Sequence, residues 1–123
     1  MDNSISRDAA WREEIRKSMS PKDRMAIERV KMTEVDPNIR NKSYIEVNQG
    51  LTAEQALLEA KRCLDCPNPA CMTGCPVEIN IPTFIKNIER GEILEAARVI
   101  KNTSTLPAVC GRVCPQEKQC ESK

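Results

Sequence analysis

Histidine is absent from this sequence, and aromatic residues nearly so: one tryptophan, one tyrosine and one phenylalanine in 123 residues. Without histidine the chain lacks the usual general base, the usual triad partner and the nitrogen ligand of most zinc sites. With only Trp11, Tyr44 and Phe84 as aromatics, the large contributors to core burial are missing, so something besides apolar packing must help hold the chain together. Glycine is scarce and scattered at Gly50, Gly74, Gly91 and Gly111, which excludes a G-x-G-x-x-G dinucleotide loop and a phosphate loop. An excess of charge is lacking too. Nineteen basic residues face eighteen acidic ones for a net charge of +1, so no broad field favours nucleic acid or an anionic membrane. No apolar run approaches the roughly 18 residues of a membrane span. The first residues, MDNSISRDAAW, lack the basic-then-apolar layout of a secretory signal, which makes the cytoplasm the expected location.

What the chain does have is cysteine. All seven fall between Cys63 and Cys120, and an odd number without a signal peptide argues against a disulfide framework. Thiolate ligation of metal is the better account. The first group is Cys63-x2-Cys66-x4-Cys71-x3-Cys75-Pro76, and the second is Cys110-x3-Cys114-Pro115-x4-Cys120. A two-residue gap lets neighbouring thiolates converge on one cluster while the loop turns backbone N–H groups toward the sulfurs. The bacterial ferredoxin run C-x2-C-x2-C-x3-C-P has a similar outline, and its last cysteine ligates the other cluster of a pair. By that logic Cys63, Cys66 and Cys71 belong together and Cys75 belongs elsewhere, with Cys110, Cys114 and Cys120 as its available partners. The four residues Pro67 to Ala70 in the middle gap depart from the ferredoxin run and imply a different helical scaffold.

A zinc-stabilised interaction domain is the alternative, because structural sites of four thiolates use similar short gaps. Seven thiols, no histidine and two Cys-Pro endings favour the softer chemistry of iron-sulfur clusters. Cys110 is the weakest ligand candidate, since a C-x3-C pair can place one sulfur in the core as a small hydrophobe. No nucleophile-base pair or glycine loop is assembled, so the chain has no catalytic residues of its own and conducts electrons at most.

Residues 1–34 read as two short helices broken at Ser20-Pro21, where Ser20 caps the second and Pro21 enters its first turn. Their charged residues are expected on solvated faces or docking surfaces. Val35 to Gly50 reads as an extended connector. Thr52 with Gln55 forms a capping box that opens a helix delivering Cys63. Ile81 to Arg90 reads as a helix entered through Pro82 and stopped by Gly91, Glu92 to Lys101 as another, and Leu106-Pro107 as a break into the second cysteine group. No alternating strand is visible, so the expected class is all-α. The expected organisation is a helical and extended segment over 1–50, docking on a partner, and a cysteine-rich domain over 51–123.

Residues 50–123, from GLTAEQALLEAKRCLDC to CESK, closely resemble the N-terminal domain of the glutamate synthase small-chain family. That domain is similar to the N-terminal part of dihydropyrimidine dehydrogenase and of the large subunit of NADH-dependent reduced ferredoxin:NADP oxidoreductase. The resemblance implies a small domain of the alpha-helical ferredoxin type, with irregular cysteine-bearing loops and two [4Fe-4S] clusters. It further implies that Cys63, Cys66 and Cys71 hold one cluster and that Cys75, Cys114 and Cys120 hold the other, with Cys110 outside the ligand set. In the family one more cysteine follows three residues after the position of Cys120, and a non-cysteine ligand lies further downstream. Each cluster is therefore expected to lack one ligand within these 123 residues. An FAD- and NADPH-binding module follows the domain in the family and is expected in the parent chain. A large glutamate synthase subunit or a ferredoxin-type acceptor is the expected partner.

Overall fold

A computed structural model describes residues 5–123; the first four residues of the expected N-terminal segment lie outside the described residues. The elements are helices α1 (Ala10–Ser18), α2 (Pro21–Ala26), α3 (Pro37–Arg40), α4 (Ala53–Lys61), α5 (Ala70–Thr73), α6 (Ile81–Glu89), α7 (Ile93–Lys101) and α8 (Pro107–Val113). Two 3-10 turns, Gln116–Lys118 and Cys120–Ser122, complete them. Among the described residues there is no strand, and the protein is all-α.

Local sequence explains most of the boundaries. Ser20 Oγ accepts from Asp23 N at 3.2 Å and Pro21 enters the first turn of α2. Thr52 and Gln55 close a reciprocal capping box on α4, with Gln55 N donating to Thr52 Oγ1 at 3.2 Å and Thr52 N donating to Gln55 Oε1 at 2.9 Å. Helix α6 is capped by Asn80, and Gly91 beyond its end has φ +86, a left-handed conformation that glycine adopts without strain.

Three expectations need correction. The connector 35–50 is not wholly extended, because Asp36 accepts from Asn38 N at 2.7 Å and Pro37 starts the short helix α3. Pro107 does not break into a loop but begins α8, since its missing N–H falls where a helix has no partner for one. The charge-rich N-terminal helices are not simply solvated: Arg12 and Arg24 are buried.

Helix α6 packs against both α4 and α7. The fully buried apolar residues are small, namely Ala9, Ala60, Ala96 and Val99. Between them lie Arg12, Arg24, Asp65, Thr83, Lys86 and Asn87, also buried. Burying such groups is unfavourable unless each finds a partner. Among the described residues, no buried side-chain nitrogen or oxygen lacks a hydrogen bond. The interior is therefore held by paired charges as much as by apolar contact. Trp11 on α1 adds a surface contact to α6, with the Arg90 guanidinium 3.9 Å from its ring centre.

Candidate metal centre

Helix α4 delivers the first cysteine. Its last turn tightens, Cys63 N donates to Ala60 O at 3.2 Å, and the chain leaves the helix there. Asp65, two residues on, has φ +54, a left-handed position that aspartate tolerates better than most residues. Its carboxylate is inside the molecule, where Arg12 Nε donates to both oxygens at 3.0 Å and Arg16 Nη1 donates to Oδ2 at 2.7 Å. Arg7 Nε reaches the Asp65 carbonyl at 3.0 Å. The turn that separates Cys63 from Cys66 is thus anchored from below by helix α1, and Cys66 points outward, exposed. Pro69 then starts α5, which carries Cys71 in its first turn, and Cys75 follows Gly74 at the far end.

The second group comes from the chain's last elements. Cys110 sits within α8, Cys114 closes it with its N–H donating to Cys110 O at 2.8 Å, and Cys120 opens the final 3-10 turn. Cys114 Sγ donates to Gln119 Oε1 at 3.1 Å, while Cys110 Sγ lies 3.9 Å from Ser104 Oγ. The two groups meet at Gly74. A Cβ there would stand 2.7 Å from Gln119 O and 3.0 Å from Cys120 Cα, so only glycine permits this approach of the backbone beside Cys75 to the backbone at Cys120.

The thiols sense one another. Burial pushes the Cys63 thiol up; the backbone N–H of Asp65 and the charge of Lys86 pull it back, and Asp65 and Cys66 add to the rise. Burial also raises Cys71, helped by the charges of Cys63, Cys120 and Cys66. Cys120 is raised by burial, by Glu121 and by Cys114. Helix α5, which carries Cys71, packs against the final 3-10 turn, which carries Cys120, so the two groups meet there. Uncharged thiols must lose protons to ligate metal, so assembly here releases protons.

Among the described residues, no three cysteine, aspartate or glutamate groups converge closely enough to hold one metal ion. A cluster distributes its thiolates over several irons, and cysteine donors suit it. The all-sulfur donor set and the Lys86 charge beside Cys63 suit a negatively charged cluster.

Sequence reasoning missed Asp65, Arg12, Arg16 and Lys86, which fix the first cysteine loop. One signal was present: Thr83, Lys86 and Asn87 on α6, with Arg90 just beyond its end, recur at helical spacing and mark a polar face, three of whose members are buried.

The family model for dihydropyrimidine dehydrogenase domain II, 4Fe-4S cluster, matches residues 40–123. The glutamate synthase [NADPH] small chain of Escherichia coli (strain K12) is 42% identical over 97 residues, covering 75% of this chain and 21% of that relative. The corresponding small chain of Halomonas elongata is 44% identical over 82 residues, 67% of this chain and 17% of the relative. The NAD-dependent dihydropyrimidine dehydrogenase subunit PreT of Escherichia coli (strain K12) is 39% identical over 77 residues, 63% of this chain and 19% of the relative. The chain spans about a fifth of the length of these curated relatives.

Proposed function

The chain belongs to the dihydropyrimidine dehydrogenase domain II, 4Fe-4S cluster family, and from that membership we propose that it is the electron-transfer domain of a larger oxidoreductase of the glutamate synthase small-chain type. The observation that carries this reading is the cysteine-rich stretch within the matched residues 40–123, whose first loop is anchored by Lys86 and Arg12 and whose two cysteine groups are brought together at Gly74. A bound [4Fe-4S] cluster takes up and releases one electron at a time.

Within the domain, Cys63, Cys66 and Cys71 hold one cluster and Cys75, Cys114 and Cys120 the other; Cys110 stays outside, near Ser104. The packing of α5, which carries Cys71, against the 3-10 turn that carries Cys120 supports two clusters set side by side, so that an electron passes between them over a short distance. Residues 51–123 form the cysteine-rich domain, and the 1–50 segment docks on a partner through its exposed connector, where Ile39, Tyr44 and Val47 face outward. The parent chain supplies the FAD and NADPH module, and the acceptor is a large glutamate synthase subunit or a ferredoxin-type protein. Among the described residues, no helix is long and apolar enough to cross a membrane. The domain works in the cytoplasm and binds neither nucleic acid nor membrane.

Anaerobic isolation of the full parent chain, followed by iron, sulfide and zinc analysis, tests the reading. Iron and sulfide in equal amounts are expected. Stoichiometric zinc without sulfide would instead identify a zinc-stabilised interaction domain.

A further inference from the structure

Lys86 has no exposed surface at all. Its Nζ donates to the carbonyl oxygen of Cys63 at 2.8 Å and to Glu89 Oε2 at 2.7 Å. The other carboxylate oxygen of Glu89 accepts from Arg24 Nη1 at 2.8 Å, and the same nitrogen reaches Lys61 O at 2.7 Å. Lys86, Glu89 and Arg24 thus form one group under the first cysteine loop with a net charge of +1, beside the separate group of Arg12, Arg16 and Asp65. A buried ion pair is seldom the most stable filling for such a space, because desolvation offsets most of its attraction. A methionine would fill the volume of Lys86 without that cost. What lysine adds is a positive charge directed at the backbone carbonyl of a cysteine.

Resting on the iron-sulfur reading above, we propose that Lys86 is a positioning residue whose buried charge, moderated by Glu89, raises the reduction potential of the cluster held by Cys63, Cys66 and Cys71. Reduction adds one electron and forms or breaks no bond in this chain. A fixed positive charge stabilises the more negative, reduced form more than the oxidised form. Lys86 Nζ is buried and 2.8 Å from the Cys63 carbonyl oxygen, so its charge is screened less than that of a lysine in water. Net charge and burial are among the levers that set cluster potentials.

The geometry also specifies how the charge can be changed in both directions. In Lys86→Met, Glu89 keeps Arg24 as its partner, and the group becomes neutral. In Glu89→Gln, the negative charge is lost, and the group becomes more positive.

The test is an EPR-monitored redox titration of the full parent chain isolated with its clusters, following the signal that the Cys66→Ala protein lacks. Lys86→Met is expected to lower the reduced-to-oxidised ratio at a given potential about tenfold, a shift of about 59 mV to more negative values for a one-electron couple. Glu89→Gln is expected to move the midpoint the opposite way, and Lys86→Arg to stay near wild type. Should Lys86→Met fail to assemble, the positive shift in Glu89→Gln carries the test. A merely structural role would leave both midpoints unchanged or move both in one direction, and either result overturns the inference while leaving the iron-sulfur reading intact. A wild-type protein without any iron-sulfur signal overturns both.

Discussion

Arg12 Nε lies 3.0 Å from each carboxylate oxygen of Asp65, joining helix α1 to the first cysteine loop across 53 positions of sequence. Arg12 also donates from Nη1 to Thr83 Oγ1 at 2.6 Å, so one side chain ties α1, the loop and α6 together. The N-terminal helices are for this reason part of the support of the candidate centre.

Removing one member of a buried ion pair costs about 3–5 kcal/mol when the other charge is left without any partner. Asp65 keeps Arg16 when Arg12 is lost, which places the expected cost below the top of that range. Arg12→Leu is expected to destabilise the protein toward that range, read from denaturant unfolding. A loss within about 0.5 kcal/mol, the usual effect of a surface substitution, would show that the clasp is not structural.

Acid should release the same clasp. Burial alone would push the Asp65 carboxyl up, but hydrogen bonds and charge from Arg12 and Arg16 outweigh it and hold the carboxyl below its ordinary 3.8. A carboxyl whose folded value is depressed stabilises the fold fully above its unfolded value, and that stability is lost as pH falls through the folded one. Metal-free protein is expected to lose stability as pH drops below 3.8, with Asp65→Asn missing that part of the slope. Identical acid slopes in the two proteins would contradict the assignment.

The helix boundaries that sequence makes legible depend on neighbours: Ser20 and Pro21 at α2, the Thr52 and Gln55 box at α4, Pro82 and Gly91 around α6. Asp36-Pro37 carried the same cap-and-proline signal for α3 but lay in a segment without hydrophobic period. The cysteine spacing was legible because metal ligation imposes it locally. The buried side of the site was not legible, because Arg12 with Asp65 and Arg24 with Glu89 pair across 53 and 65 positions. In sequence, such residues are indistinguishable from the charged groups of a solvated helix face.

Gly74 offers a steric test of how the two cysteine groups meet. In Gly74→Ala the new methyl would collide with the backbone at Gln119 and Cys120, forcing that segment away. Overpacking of this kind costs about 1–3 kcal/mol. The expected outcome is reduced cluster content in the intact parent chain, measured as iron per protein. Unchanged iron together with unchanged stability would show that the two segments are not held against each other.

The cysteines should separate by role. Cys71→Ser is expected to lose iron, whereas Cys110→Ser, which alters a thiol whose neighbour is Ser104 Oγ, is expected to keep the full complement. Loss of iron from the Cys110 variant at unchanged fold, judged by helical circular dichroism, would place Cys110 among the ligands.

The central claim is that these thiols gather around iron in two groups. Iron, acid-labile sulfide and zinc determination on the anaerobically isolated parent chain, with EPR after reduction, tests it most directly. Two [4Fe-4S] clusters predict about eight iron and eight sulfide per chain and a paramagnetic signal on reduction. A folded protein without iron or sulfide, silent on reduction and carrying stoichiometric zinc, would contradict the claim.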